Sequence, residues 1–431
     1  MSADQHNLPQ AQRQGHIRAA VFALLCLFAV SPWAPPAASS ARAGQASPRI
    51  EAQDVRIDFP GTVRFNLRAG GFSTERAQVN YTLVGDPVTA GVQADLDSPS
   101  SDLDLSVELD LSVHYIPPGT EVEYYWTLTS PSGETADTPI RTFRLVDDRF
   151  DWRERSDGEG RVTVHWYEGG DAFGKMLADT AASALDRLRH DVGASAARPV
   201  DVWVYPSQEV LLEALPRNIP EWVGGKAFPE LALVLAAIED NEYAELEIKR
   251  VVPHELSHIV LYQATRNPYN TPPAWLEEGI AVYNQEAHDP AEEEALKLAA
   301  EAGELPPLRA LSGSFGADEG TALLSYAQSG SVVEFILDDA RYGPPKLART
   351  VAAFKEGVTY DEALKAGLGI TVDELDAQWR QALPYKPSAP GWLDPLAFAA
   401  IAVGAVLFAA GGVVALIVWS KRSRKPASRE T

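Results

Sequence analysis

Apolar and polar residues alternate with a period of two from Val55 to Val146. Val63, Phe65 and Leu67 form one run, and Val79, Tyr81 and Leu83 another. Leu103, Leu105, Val107, Leu109, Leu111, Val113 and Tyr115 alternate strictly with Asp, Ser, Glu and His, and Val122, Tyr124, Trp126 and Leu128 repeat the pattern. Alternation of this kind predicts strands with one buried and one wet face. Pro117-Pro118-Gly119 and Pro131-Ser132-Gly133 supply turns between them. Nothing in this stretch clusters His, Cys or carboxylates, so it reads as a spacer or binding module.

The pattern changes near Asp151. Val162, Val164 and Trp166 predict a short strand; Asp171 then caps a helix with the stripe Phe173, Leu177, Ala181, Ala184 and Leu188, closed by Gly193. Val200, Val202 and Val204 make another strand, and the unbroken apolar run Leu231–Ile238 a well-buried one. Helical patterns dominate afterwards, with Tyr326–Asp339 and Val372–Leu383 amphipathic. The prediction is an α+β chain. An antiparallel β-sandwich of immunoglobulin or fibronectin III type spans 44–148, and an α+β domain with a helical C-terminal part spans 149–386.

The two ends differ from the rest. Residues 19–30 are continuously apolar behind Arg13, His16 and Arg18, and Ala41-Arg42-Ala43 fits a signal cleavage site, so 1–43 reads as a signal peptide. After a linker at 387–395, residues 396–420 form a span with no charge from Leu396 to Trp419; as a helix, those 24 residues would reach about 36 Å. Lys421, Arg422, Arg424 and Lys425 open a basic tail at 421–431, which places the C-terminus in the cytoplasm and the bulk of the chain outside it.

Composition sharpens this picture. The 431 residues carry 37 Lys and Arg against 60 Asp and Glu, a net charge of −23. Residues 44–393 alone hold 29 basic and 57 acidic residues, so the acidity belongs to the outward part. That balance excludes nucleic acid as the main partner. A single cysteine, Cys26 inside the predicted signal, excludes a disulfide framework and Cys-based metal sites.

Candidate chemistry stands in the helical half. In His254-Glu255-Leu256-Ser257-His258 the two histidines share a helical face at i and i+4, so both can meet one ion. Pro253 marks either a kink or a helix start. Zinc wants a third protein ligand and an open position, and Trp275-Leu276-Glu277-Glu278-Gly279-Ile280-Ala281 follows as a compact candidate. His165, His190, His114 and His288 lack ligand spacing to this motif.

HExxH followed about twenty residues later by W-L-x-E-G-x-A resembles the gluzincin zinc metallopeptidases, and the stretch from Arg149 to Leu383 is similar to smaller bacterial peptidase MA-like proteins. The resemblance implies that His254, His258 and Glu278 hold one catalytic zinc ion, with Glu278 rather than Glu277 as third ligand. Glu255 would be the general base that takes a proton from water and passes it to the leaving amine. Tyr326 is the first candidate for the oxyanion donor and Tyr283 the second. The G-x-M-x-N strand of aminopeptidases has no counterpart: Gly225-Lys226-Ala227-Phe228-Pro229-Glu230 stands there instead. The expected function is hydrolysis of peptide or protein substrates by a membrane-anchored peptidase; the endopeptidase mode is the first reading, and the exopeptidase mode stays open. Two alternatives stay open: a non-catalytic surface binding or adhesion protein with a vestigial zincin domain, and a metal hydrolase acting on other bonds. The sequence leaves the oligomeric state undetermined.

Overall fold

A computed structural model describes residues 47–216, 224–315 and 318–385. The predicted signal (1–43), the span at 396–420 and the tail at 421–431 lie outside the described residues, as does the linker at 387–395. Among the described residues no helix is long and apolar enough to cross a membrane.

The front part consists of two antiparallel sheets. One has the order β1 (Arg49–Asp58), β2 (Thr62–Thr74), β5 (Ser100–Asp110). The other has the order β4 (Thr89–Ala94), β3 (Arg76–Leu83), β6 (Glu121–Thr129), β7 (Thr135–Asp137), with β8 (Arg141–Arg144) also paired to β6. Val63, Phe65 and Leu67 of β2 and Val79, Tyr124, Trp126 and Leu128 of β3 and β6 join one core, as alternation requires. The strict alternation of 103–115 outlasts its strand. Asp110 ends β5 by accepting from the Ser112 N–H on its side chain and from the Val113 and His114 N–H groups on its carbonyl. Val113 is consequently exposed.

A mixed five-stranded sheet follows, in the order β12 (Gly225–Phe228), β13 (Leu233–Ala237), β11 (Val200–Tyr205), β10 (Val162–Trp166), β9 (Arg153–Ser156). β10, β11 and β13 run parallel, and the two outer strands are antiparallel to their neighbours. Val202, Val204, Val234 and Ala236 face the helices α1 (Asp171–Arg187) and α3 (Ala244–Thr265). Trp203, Tyr205, Leu233 and Leu235 point the other way and join the core of the front sheets. Burial on both faces explains why these strands read as continuous apolar runs. Gly170, not Asp171, is the N-cap of α1, and Asp171 lies in its first turn. The helix passes into a π turn at Leu188–Val192 that Gly193 closes in the left-handed conformation.

The remaining helices are α2 (Gln208–Ala214), α4 (Ala274–Asn284), α5 (Pro290–Ala302), α6 (Glu319–Asp338), α7 (Pro344–Phe354), α8 (Tyr360–Gly367) and α9 (Val372–Ala382). Thr359 and Thr371 start α8 and α9 with reciprocal capping boxes to Glu362 and Glu374. Pro253 lies inside α3, so it is not a helix start.

Candidate metal centre

His254, Glu255 and His258 sit on α3, whose apolar face (Ile248, Val252, Leu256, Ile259, Val260) is fully buried. The two imidazoles lie with ring centroids 5.0 Å apart. Glu278 comes from α4, which packs closely against α6 because position 279 is glycine: a Cβ there would lie 2.4 Å from the carbonyl oxygen of Ser329. The glycine that follows Glu278 thus lets two helix backbones meet and sets the depth at which Glu278 enters.

One oxygen of Glu278, Oε2, lies 3.5 Å from His254 Nε2 and 3.6 Å from His258 Nε2. One donor atom from each of the three residues falls within 4.8 Å of the others. Tetrahedral zinc with 2.0–2.1 Å bonds separates its ligand atoms by about 3.3 Å, so the two Glu278 distances suit such an ion. Oε2 is buried and has no hydrogen-bond partner, and a carboxylate oxygen left so is costly unless a cation meets it. Two neutral nitrogens and one such oxygen are a donor set that fits zinc.

Electrostatics point the same way. Burial alone would lower the His258 pKa, but Glu278, Glu277 and Glu255 outweigh it and raise it to about 9. Burial opposes ionisation of Glu278, yet His258, His254 and Lys226 hold its carboxyl below the ordinary value. Without an ion, a proton on His258 offsets the carboxylates around it.

The two candidate tyrosines part company. Tyr326 on α6 sets its ring edge-on to His254, centroids 6.1 Å apart. Burial, together with the charges of Glu278, Glu255 and Glu292, pushes its pKa up, so it stays an O–H donor at neutral pH. The Tyr283 hydroxyl lies 3.5 Å from Asp191 in the π turn. As the second oxyanion candidate it is set aside, because its donor is aimed at a different carboxylate.

Glu255 lies against β12. A Cβ at Gly225 would approach its Oε1 to 2.9 Å, so the glycine makes room for the carboxylate beside the strand. Beyond His258 a cavity of about 560 Å³ is lined by Tyr262, Arg266, Asn267 and Glu277 among others. Further neighbours complete the site. Glu277 Oε1 is 3.4 Å from His258 Nδ1, Gln285 Nε2 is 2.9 Å from His254 Nδ1, and Lys226 on β12 acts on Glu278 through its charge. Glu277 could have been found from its place beside Glu278. Nothing in the sequence marks the other two. His165 stacks on Trp203 with centroids 4.0 Å apart and meets Asp201 at 2.7 Å, which accounts for it as a packed histidine.

Residues 180–384 match the Peptidase MA superfamily. This segment belongs to that superfamily. It contains the two histidines, Glu255, Glu278 and Tyr326. No curated protein matches the chain. Among solved structures, the chain is similar to a mutant of a two-domain M1 zinc metallopeptidase bound to L-arginine, at 14% identity, covering 82% of this chain and 97% of that one. The TM-score is 0.36, too low for that likeness to carry an argument.

Proposed function

We propose that the chain is a membrane-anchored zinc metallopeptidase whose catalytic part lies outside the cytoplasmic membrane and which cleaves peptide or protein substrates internally. The observation that carries the zinc reading is the buried Oε2 of Glu278, which makes no hydrogen bond and lies 3.5 and 3.6 Å from the two histidine Nε2 atoms. Zinc held there supplies Lewis acidity to a water and to the scissile carbonyl. Glu255, beside β12, takes the proton of the attacking water and returns it to the leaving amine. Tyr326, kept protonated by burial and the surrounding carboxylates, donates its O–H to the developing oxyanion.

Two observations support internal cleavage: β12 is an edge strand able to pair with an extended substrate, and its sequence lacks the G-x-M-x-N signature of aminopeptidases. The uncharged run at 396–419 with its basic stop supports the anchor, and the apolar run at 19–30 supports export. Two antiparallel sheets over one core support the immunoglobulin- or fibronectin-like sandwich in front. The test is a library of end-blocked peptides incubated with the zinc-loaded chain. Zinc-dependent cleavage within blocked peptides is the expected result. Cleavage confined to peptides with a free terminus would overturn the endopeptidase reading, and no cleavage of any peptide would overturn the peptidase reading.

A further inference from the structure

The helix that carries the two histidines contains a defect, and the segment after α4 fits it. Pro253 has no N–H, so the carbonyl of Lys249, four residues back, finds no partner within α3. It accepts instead from the N–H of Glu286 at 2.9 Å. Two residues earlier, Asn284 Nδ2 donates to the Pro253 carbonyl at 3.1 Å and to Ser257 Oγ at 2.9 Å, both buried. Between them, the carboxamide of Gln285 lies 2.9 Å from Nδ1 of His254. Arg187 of α1 holds this tripeptide from outside, with Nε donating to Asn284 Oδ1 at 3.2 Å and Nη1 to Glu286 Oε1 at 2.6 Å. Three consecutive residues thus reach the Lys249 and Pro253 carbonyls, the Ser257 hydroxyl and the ring of His254.

We propose that Gln285 is the positioning residue of His254, and that the Pro253 defect gives Gln285 its place. A histidine that ligates through Nε2 carries its proton on Nδ1, and the acceptor of that proton sets ring orientation and tautomer. A half-turn of the carboxamide puts Oε1 where Nε2 stands. Oε1 is buried and has no other partner. It then accepts the Nδ1–H and leaves the Nε2 lone pair facing Glu278. His258 is backed by a charged group, Glu277, at 3.4 Å. His254 is backed by a neutral one, which adds no further charge where Glu255, Glu277 and Glu278 already converge. This role for Gln285 rests on the zinc reading of the site.

The experiment compares zinc affinity, by competition with a chelator, in the full-length chain and its Gln285→Leu and Gln285→Glu variants, with thermal unfolding of each metal-free form alongside. Leucine fills the space without accepting a proton, so Gln285→Leu weakens zinc binding about 10- to 100-fold while the metal-free melting temperature stays near that of the wild type. Glutamate still accepts the Nδ1–H, so Gln285→Glu recovers most of the lost affinity. Wild-type affinity in Gln285→Leu overturns the role of Gln285 and leaves the zinc site standing. Equal losses in both variants also overturn it, since packing rather than proton acceptance would then matter. A wild-type chain that takes up no zinc overturns the site reading, and the role of Gln285 with it.

Discussion

The front sheets and the helical half both bury extensive apolar surface, but they differ in which polar groups they bury: ionisable groups converge around α3. In the front sheets most polar side chains point outward or are satisfied nearby; Gln53 Oε1 and the Trp126 Nε1–H are buried without a partner. Asn66 donates to Asp54 and accepts from Ser106 across three strands, and the buried Thr120 and Thr138 bond to neighbouring backbone. Around α3 in the helical half the departures involve charge and backbone: a proline lies inside the helix, a buried carboxylate oxygen makes no hydrogen bond, and three glutamates crowd one histidine. Each departure costs stability unless something else offsets it. Their concentration at one place marks where the sequence answers to chemistry rather than to packing.

The sharpest way to break this contrast is to remove the base. Glu255→Gln lowers peptidase turnover about 10²–10⁴-fold with zinc still bound and unfolding little changed; the contrast fails if turnover survives. A matching change in front is Trp126→Ala. Trp126 is fully buried in the β-core, so its loss costs about 3–5 kcal/mol in urea unfolding, while zinc affinity of the folded protein stays at the wild-type value. A change in zinc affinity there would mean that the front sheets set the site. Gly279→Ala lies between these cases. Its methyl meets the Ser329 carbonyl, so overpacking costs about 1–3 kcal/mol and, by pushing α4 from α6, weakens zinc binding as well. A smaller effect is pH-dependent. In the metal-free chain the His258 pKa is raised from 6.5 to about 9. The stability this contributes is fully present below pH 6.5 and is lost as pH rises through about 9. Denaturation midpoints of the metal-free chain should fall across that window. In the zinc-loaded chain, where His258 ligates unprotonated, this decline should vanish.

What the sequence made legible follows from the range of each interaction. His254, Glu255 and His258 could be read because helix geometry relates them locally. Glu278 emerged only through a family resemblance, since nothing local ties it to α3. Gln285 was out of reach: its partner His254 is 31 residues away on another helix, and a glutamine after a helix end has no pattern of its own. Among the strands, β2, β3 and β6 followed from alternation. The continuous run around β13 announced burial on both faces but not that the front sheets cover one of them. The early part of β1 was not read as strand, because its residues are only exposed or half-buried and leave a weak periodic trace.

The central claim is that His254, His258 and Glu278 together hold one zinc ion. It is tested most directly by zinc content after loading and exhaustive dialysis, in the full-length chain and in His258→Ala and Glu278→Ala variants shown to be folded. The structure predicts one zinc per wild-type chain and loss of that zinc in each variant. Zinc retained at wild-type stoichiometry in both variants, or absent from the wild type, would contradict it.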